Sequence, residues 1–452
     1  MSFATLHAGV EIRQHRDERR TAVNASVIGG GGREHALVWK LAQSSALDRV
    51  YALPGNGGTA AMGGKVESVS VAADDIPEQV RFAREQKVDL TVVGPEGPLE
   101  LGIVDAFREA GKLIFGPTQA AAGLETSKRL GKGLMQQCGV GTAVWQAFTD
   151  RDEALAYATG RLPVVVKADG TAAGKGAQVC HTVEEAVEAV DNALIHRVFG
   201  RAGECIVIED FVHGEETSIH ALVGRSGEIL MLKPSRDHKT LRVLYPNGVM
   251  REAMTGGMGA YAPVPGLAPA FELFSRAQVV APLVKGLADA GRAFTGWMYP
   301  GVKGVGIYQQ VLECNVRFGD PEAQVLLTLL DEDLFSLLYA LARGTQWRRP
   351  LRFRPGYAVC VVMAAEGYPL RPPHHKAPIY GLDTAMAYPD VVVFHAGTEY
   401  RNGEYFATVG RTLGVTAWGL TLEAARRRAY EVVHQIFFEG MQYPQDIASV
   451  RA

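Results

Sequence analysis

From Ser26 onward, short apolar runs of β type alternate with stretches whose apolar residues recur at helical spacing. A turn rich in glycine or proline closes each run. Ser26-Val-Ile leads into Gly29-Gly-Gly-Gly-Arg-Glu-His35 and then into Ala36-Leu-Val-Trp-Lys-Leu-Ala42, which is the order strand, glycine turn, helix. Arg49–Leu53 ends in Pro54-Gly-Asn-Gly-Gly58, and Val88–Val93 ends in Gly94-Pro-Glu-Gly-Pro98. Lys112–Phe115 closes the series before Gly116-Pro-Thr118. The alternation predicts a parallel sheet with helices on both faces. Ligands of such sheets bind at the carboxyl ends of the strands, where these loops sit.

The turn at Gly29 is not a dinucleotide fingerprint. G-x-G-x-x-G would need a glycine where Glu34 stands, and the acidic ribose partner about 20 residues on is missing. Taken alone, it is a tight turn or an anion site at a helix N-terminus.

Farther along, Leu162–Ala168 and Ala177–His181 are β runs on either side of Asp169-Gly-Thr-Ala-Ala-Gly-Lys-Gly176. This is not a P-loop, because Gly170 and Gly174 are one residue too close and Gly176 stands where the hydroxyl belongs. Strands on both sides predict a flexible hairpin that closes over phosphates. A helix begins only at the capping-box pattern Thr182-Val-Glu-Glu185.

Cys205–Val212 is another β run, followed by Glu215 and Glu216. Alone it reads either as a solvated strand end or as backbone for an adenine with a carboxylate for a ribose. In Val311-Leu-Glu-Cys-Asn-Val-Arg317, Glu313 and Asn315 are two apart, so a strand puts them on one face. A carboxylate beside an amide oxygen suits a hard divalent cation and nucleotide phosphates. Arg317 continues that face, where a guanidinium can hold an anion.

Composition narrows the classes. The 452 residues include 51 glycines, above the ~7% typical of proteins, and the formal net charge is −3. Near-balance of charge argues against nucleic acid as an obligate partner, and no apolar run approaches the ~20 residues of a membrane helix. Five dispersed cysteines (Cys138, Cys180, Cys205, Cys314, Cys360) without a C-x-x-C pair read as reduced thiols of a cytoplasmic protein. Residues 1–22 are charged and lack the apolar core of a secretory signal, and are expected to be a disordered extension.

The glycine hairpin, Ile208-Glu209 and Glu313-x-Asn315 stand in the order of the ATP-grasp carboxylate–amine ligases. More narrowly, the chain resembles the phosphoribosylamine–glycine ligase family. The motifs that carry the likeness include Gly31-Gly-Arg-Glu-His-Ala-Leu37, Pro54-Gly-Asn56, Val93-Gly-Pro-Glu96 and Phe115-Gly-Pro-Thr118. Later ones are Lys167-Ala-Asp-Gly170, Asp237-His-Lys239, Thr255-Gly-Gly-Met-Gly-Ala-Tyr261, Asn315-x-Arg-Phe-Gly-Asp-Pro-Glu322, Phe394-His-Ala-Gly-Thr398 and Gly410-Arg411. The match runs from about Val23 to the C-terminus. Family members begin six residues before the glycine-rich turn, so residues 1–22 are also consistent with an upstream start of the reading frame.

The resemblance implies a multidomain α/β and α+β protein. A Rossmann-like N-terminal domain is expected over residues 23–122 and an ATP-grasp core over 123–350, with a lid at about 144–212. A C-terminal α+β domain over 351–452 would follow, its helix Leu422–Phe437 packing on the central core. ATP would be the cosubstrate with Mg2+ (or Mn2+), glycine and 5-phosphoribosylamine the substrates, and the protein a monomer or homodimer. Lys132, Lys167, Gly170, Gly174, Gly176, Glu209, Asp210, Phe211, Val212 and Glu216 would bind ATP, and Glu313 and Asn315 the metal. Gly31, Arg33, Glu34, Asn56, Glu96, Asp237, Lys239, Gly256 and Gly257 would bind substrate. Arg317, Asp320 and Lys175 would act in catalysis.

The chain departs from the family pattern in places. Thr240–Met254 is longer and more apolar than the Asp/Gly-rich stretch usual there, Ala323 replaces a threonine, and Cys314 replaces a phenylalanine. The ATP and metal residues are intact, whereas the 240–254 stretch is expected as a loop near the acceptor side. A ligase of the same fold with another acid or amine is the alternative reading. A nucleotide-binding protein without catalysis is the third, and the retained Glu313, Asn315, Lys167 and Arg317 speak against it.

Overall fold

A computed structural model describes residues 22–170, 176–244, 248–268, 270–305 and 308–449. Five parallel strands form the first sheet: β1 (Asn24–Gly29), β2 (Arg49–Pro54), β3 (Val66–Ser68), β4 (Leu90–Val93) and β5 (Ile114–Phe115), in the order β3-β2-β1-β4-β5. β1 and β4 are buried along their whole length, as expected of central parallel strands covered on both faces. The turn after β1 enters the helix Gly32–Ala42, where the Glu34 carboxylate accepts from the Gly31 N–H at 2.6 Å and closes the helix start.

Residues 145–210 fold as a separate four-stranded antiparallel sheet of β6 (Trp145–Phe148), β7 (Val164–Ala168), β8 (Ala177–Cys180) and β9 (Ile206–Asp210), ordered β6-β9-β7-β8. Its own core of Phe148, Val164, Val166, Ile206 and Ile208 packs under helices Arg151–Thr159 and Val183–Val190. The second helix starts at Thr182 and Glu185 with the capping box expected of them. A core of its own, joined to the rest by few elements, lets this lobe move as a body.

A third sheet contains β10 (Thr217–Ser218), β11 (Ala221–Val223), β12 (Ile229–Met231), β15 (Gly296–Val305) and β16 (Tyr308–Asn315). The strand expected to carry Arg317 ends at Asn315, so Arg317 sits in the turn beyond it. The fourth sheet is antiparallel, in the order β13 (Arg236–Leu244), β14 (Met250–Ala262), β17 (Tyr357–Ala364), β22 (Arg411–Gly419), β19 (Val391–His395). Strands on either side of residue 351 thus share one sheet. Within the stretch expected as a loop, residues 240–244 and 250–254 pair as a β-ribbon of β13 and β14, with Leu241, Val243 and Ala253 buried on one face. The C-terminal helix runs Leu422–Val433 and packs on β17 and β22, not on the central core as expected; Phe437 leaves the helix to bridge Tyr380. A three-stranded patch of β18 (Ala377–Pro378), β20 (Thr398–Arg401) and β21 (Glu404–Ala407) completes the fold.

Helix Glu322–Leu329 is buried at every residue and packs against helix Gly32–Ala42, β14 and β17. It brings the first and last sheets together around the turn at Asp320. Among the described residues no helix is long and apolar enough to cross a membrane, and all five cysteines are free.

Candidate active site

The four-stranded lobe and the third sheet meet at two lysines. Lys167 on β7 and Glu209 on β9 share a face, since Glu209 pairs with Val165 two residues before Lys167. Lys132 approaches from helix Lys128–Gln137. Its Nζ lies 2.5 Å from Glu209 Oε2 and donates to Thr142 Oγ1 at 2.6 Å, while Lys167 pairs with the other Glu209 oxygen and donates to Leu312 O at 3.2 Å. Glu209 is 1% exposed, which removes the solvated-strand-end reading. Burial pulls Lys132 down to about 8, aided by the Lys167 charge and opposed by Glu209. One carboxylate therefore balances two cations, leaving the pair short of negative charge and suited to phosphate.

Asp210 turns to the opposite face, where Arg161 grips it through two bonds of 2.8 Å. The Phe211 ring contacts His181, His213 and Lys303, and Val212 follows it. The Asp210 side chain is thus spent on Arg161, and its N–H on Val144 O at 2.9 Å. Gly170 and Gly176 frame the hairpin; a Cβ on Gly170 would meet Ala202 Cβ at 2.6 Å, and Ala168 N–H bonds Gly176 O at 2.8 Å. Gly174 and Lys175 lie outside the described residues.

Glu313 and Asn315 leave β16 on one face, as the spacing predicts. Burial pushes Glu313 up, but Lys239, Lys128, Lys167 and Arg317 together hold it well below the usual carboxylate range. Lys239 Nζ lies among three carboxylates: it bonds Glu216 Oε1 at 2.7 Å and stands 3.6 Å from Glu313 Oε1 and 3.9 Å from Asp237 Oδ2. Burial raises Asp237 to about 7, with Glu322 and Glu216 adding to it and Lys239 opposing. An ionised carboxylate with an amide oxygen is a hard-oxygen set that fits a divalent cation needing further oxygens from phosphate and water. Among the described residues no group of three or more His, Cys, Asp or Glu is arranged to hold a metal alone.

The third part of the site is an ionic seam between the first sheet's loops and the turn after β16. Arg33 pairs with Glu34, donates to Phe318 O at 3.0 Å and stands 3.6 Å from Glu96 Oε2. Arg317 Nε is 3.3 Å from the same Glu96 oxygen, its Nη2 is 3.2 Å from Glu125 Oε1, and its Nη1 donates to the Tyr299 hydroxyl. Burial raises Glu96, but Arg317 and Arg33 bring it down to about 2. Yet Glu96 Oε2 and Arg317 Nε are both buried without an aligned hydrogen-bond partner among the described residues, which leaves an acceptor and a donor unspent at one point of the seam.

Asp320 accepts from Gln324 Nε2 at 2.6 Å and from Arg411 Nη2 at 2.9 Å. Arg411 Nη1 reaches three carbonyls, Asp320 O at 2.6 Å, Gly256 O at 2.8 Å and Gly257 O at 3.2 Å. Gly257 has φ +115°, and a Cβ there would lie 2.8 Å from Asp320 O, so only glycine allows this approach. Asn56 accepts from Gly58 N and Thr59 N and donates to Gly30 O, Gly31 O and His395 O. Asn56 and Glu34 therefore shape the glycine turn with their side chains fully engaged. Glu125, Tyr299 and the role of Arg411 escaped the sequence reading. Only Arg411 left a trace there, as part of the Gly410-Arg411 motif.

Residues 23–125 match the N domain of phosphoribosylglycinamide synthetase, 126–323 its ATP-grasp (A) domain and 358–450 its C domain. The phosphoribosylamine–glycine ligase of Vibrio vulnificus (strain CMCP6) is 42% identical over 433 residues, covering 94% of this chain and 97% of its own. That of Synechocystis sp. is 44% identical over 432 residues, covering 94% and 99%. The crystal structure of phosphoribosylamine–glycine ligase from Thermotoga maritima superposes with a TM-score of 0.78 at 30% identity, over 94% of this chain and all of that one. The biotin carboxylase domain of the Hydrogenobacter thermophilus 2-oxoglutarate carboxylase, bound to MgADP, shares the fold at 18% identity and a TM-score of 0.69, covering 94% and 92%. The chain belongs to the phosphoribosylglycinamide synthetase family.

Proposed function

We propose that this protein joins glycine to 5-phosphoribosylamine with ATP, giving glycinamide ribonucleotide, ADP and phosphate in de novo purine biosynthesis. A carboxylate is a poor acyl donor because its leaving group would be oxide. Attack of the glycine carboxylate on the γ-phosphorus releases ADP and makes glycyl phosphate. The amine of phosphoribosylamine then attacks the acyl carbon, and phosphate leaves. Catalysis of this kind rests on positioning and charge neutralisation.

Lys132 and Lys167, released from their shared Glu209, hold ATP phosphates under the hairpin Gly170–Gly176, which with Gly174 and Lys175 forms the lid. Residues Glu209 to Val212 line the adenine slot and Glu216 meets the ribose. Glu313 and Asn315 hold the divalent cation, Mg2+ in this reading, which when bound neutralises phosphate charge. Arg317 and Asp320 orient glycine and its phosphate, while Gly31, Arg33, Glu96, Asp237, Lys239, Gly256 and Gly257 form the acceptor side. In this reading the domains divide along the chain at residues 122 and 350, with the fourth sheet drawing strands from both sides of the second boundary, and the lid spans about 144–212.

What carries the reading is that the named relatives match over nearly their whole length, with the ionic seam at Glu96, Arg317 and Asp320 intact. The test is ADP release by the purified chain with MgATP, glycine and phosphoribosylamine made in situ, omitting each in turn. Turnover that needs all three supports it. ATP binding without turnover, or turnover with another acid or amine, refutes it.

A further inference from the structure

A cleft of about 760 Å³ shares no residue with the site described above. It lies between β12, which is the edge strand of the third sheet, residues 346–353 and the helical turn Arg276–Val280. Its volume is within the roughly 300–1,000 Å³ of small-molecule sites. Two half-buried rings, Trp347 and Phe353, line it and pack against the core. Each carries a cation. Arg349 Cζ stands 4.6 Å from the Trp347 centroid, and Lys233 Nζ stands 5.5 Å from that of Phe353.

The charges of the lining do not balance. Arg349 is engaged by Glu332 through two bonds of 2.6 Å, and Glu228 Oε2 accepts the main-chain N–H of Trp347 at 2.8 Å. Lys233, Arg276 and Arg348 also line the cleft, and none of the three enters an ion pair among the described residues. Glu272, exposed at the rim, is the one lining carboxylate left to set against them. Trp347 Nε1 is buried without an acceptor among the described residues. A small turn of the indole toward an acceptor in the cleft would therefore gain a bond. The groups still open to a ligand are three cations and an N–H, all donors, beside two ring faces.

We propose that this cleft binds the monophosphate of a 6-oxopurine nucleoside, with its base on the ring-lined wall and its phosphate on the unpaired cations. A phosphate dianion answers the surplus of cations, and guanidinium forks match its oxygens. A flat base stacks on aromatic faces, a contact of about 1–3 kcal/mol per base. A 6-oxopurine presents two adjacent acceptors, N7 and O6, to a wall of donors, whereas adenine sets an amino donor beside N7. Such a ligand leaves the ATP and acceptor sites open, because their residues do not line the cleft.

The test is calorimetric titration of the full chain with guanosine 5′-monophosphate. Guanosine, ribose 5-phosphate and adenosine 5′-monophosphate are the comparison ligands. Binding should survive Lys132→Met, which disables the ATP phosphate site. The double variant Arg276→Glu/Arg348→Glu should weaken it at least ~10-fold, and Trp347→Phe, which keeps a ring and removes the donor, about threefold. Unchanged thermal midpoints without ligand show that the variants fold. Guanosine and ribose 5-phosphate, each lacking one half of the ligand, should bind at least ~10-fold more weakly, and the adenosine nucleotide more weakly too. Absent binding, binding that Lys132→Met abolishes, or binding indifferent to the charge reversals overturns the proposal. So does any comparison ligand that binds as tightly as guanosine 5′-monophosphate.

Discussion

Replacing Arg411 by methionine tests whether the C-terminal domain builds the acceptor site. The guanidinium ties the turn at Asp320, through both its carboxylate and its carbonyl, to Gly256 and Gly257 where the pairing of β13 and β14 shifts register. Asp320 is buried, which raises its pKa, but Arg411, Arg33 and a bond from Gln324 hold it ionised below its ordinary value. Breaking a buried pair from one side costs about 3–5 kcal/mol. The Arg411 side chain is 22% exposed, so water replaces part of the loss and the lower figure, about 3 kcal/mol, applies. If half of that appears as misplacement of the turn, kcat/KM for phosphoribosylamine falls about tenfold. Arg411→Lys keeps the charge but not the planar fork over three carbonyls, and recovers only part of the loss. Added guanidinium should rescue Arg411→Ala more than Arg411→Met, whose side chain fills the space. Steady-state kinetics with each substrate varied, alongside ATP binding followed by fluorescence, separates the sites. Equal losses for ATP and phosphoribosylamine, or no loss at all, would refute the reasoning.

Gly94→Ala places a Cβ 2.1 Å from Glu34 Oε1; the buried carboxylate must move, costing about 1–3 kcal/mol. A lowered thermal midpoint should follow, while Gly97→Ala, which meets nothing within 4 Å, leaves it unchanged. His35 is held by burial at about 4, and its Nδ1 lone pair accepts the His395 N–H at 2.8 Å. The unfolded chain therefore binds this proton from about pH 6.5 downward and the folded one only near 4. Stability is lost as pH falls through that window, by up to about 3 kcal/mol, and urea titrations of His35→Gln should show a shallower acid slope. Glu313→Gln should raise the metal concentration needed for activation at least about tenfold. Binding of metal-free ATP should barely change, and an unaltered metal requirement would remove Glu313 from that role.

Features written in local periodicity were legible in the chain. Glu313 and Asn315 share a face because strands alternate, and β7 and β8 lie on either side of the glycine stretch as the two β runs imply, paired antiparallel. Thr182 and Glu185 marked a helix start by their spacing. The seam is different, because Glu125 reaches Val316 and Arg317 across almost two hundred residues, and no local pattern encodes such a pairing. Tyr299 likewise meets Arg317 only through the β15–β16 pairing. The first strand of the ribbon was readable in principle, since Thr240-Leu-Arg-Val243 alternates with period two. Comparison with the Asp/Gly-rich stretch usual at that place drew it as a loop instead.

The fourth sheet has a consequence for how the chain is made. β14 is complete once residue 262 has been synthesised, but the central β17 comes at 357–364 and β22, on its far side, only at 411–419. On the ribosome, β13 and β14 must therefore wait as an unpaired hairpin while helix Glu322–Leu329 has no sheet to cover. Ribosome stalling between about residues 340 and 400 would leave a strand edge open, the species most prone to aggregate or to recruit chaperones.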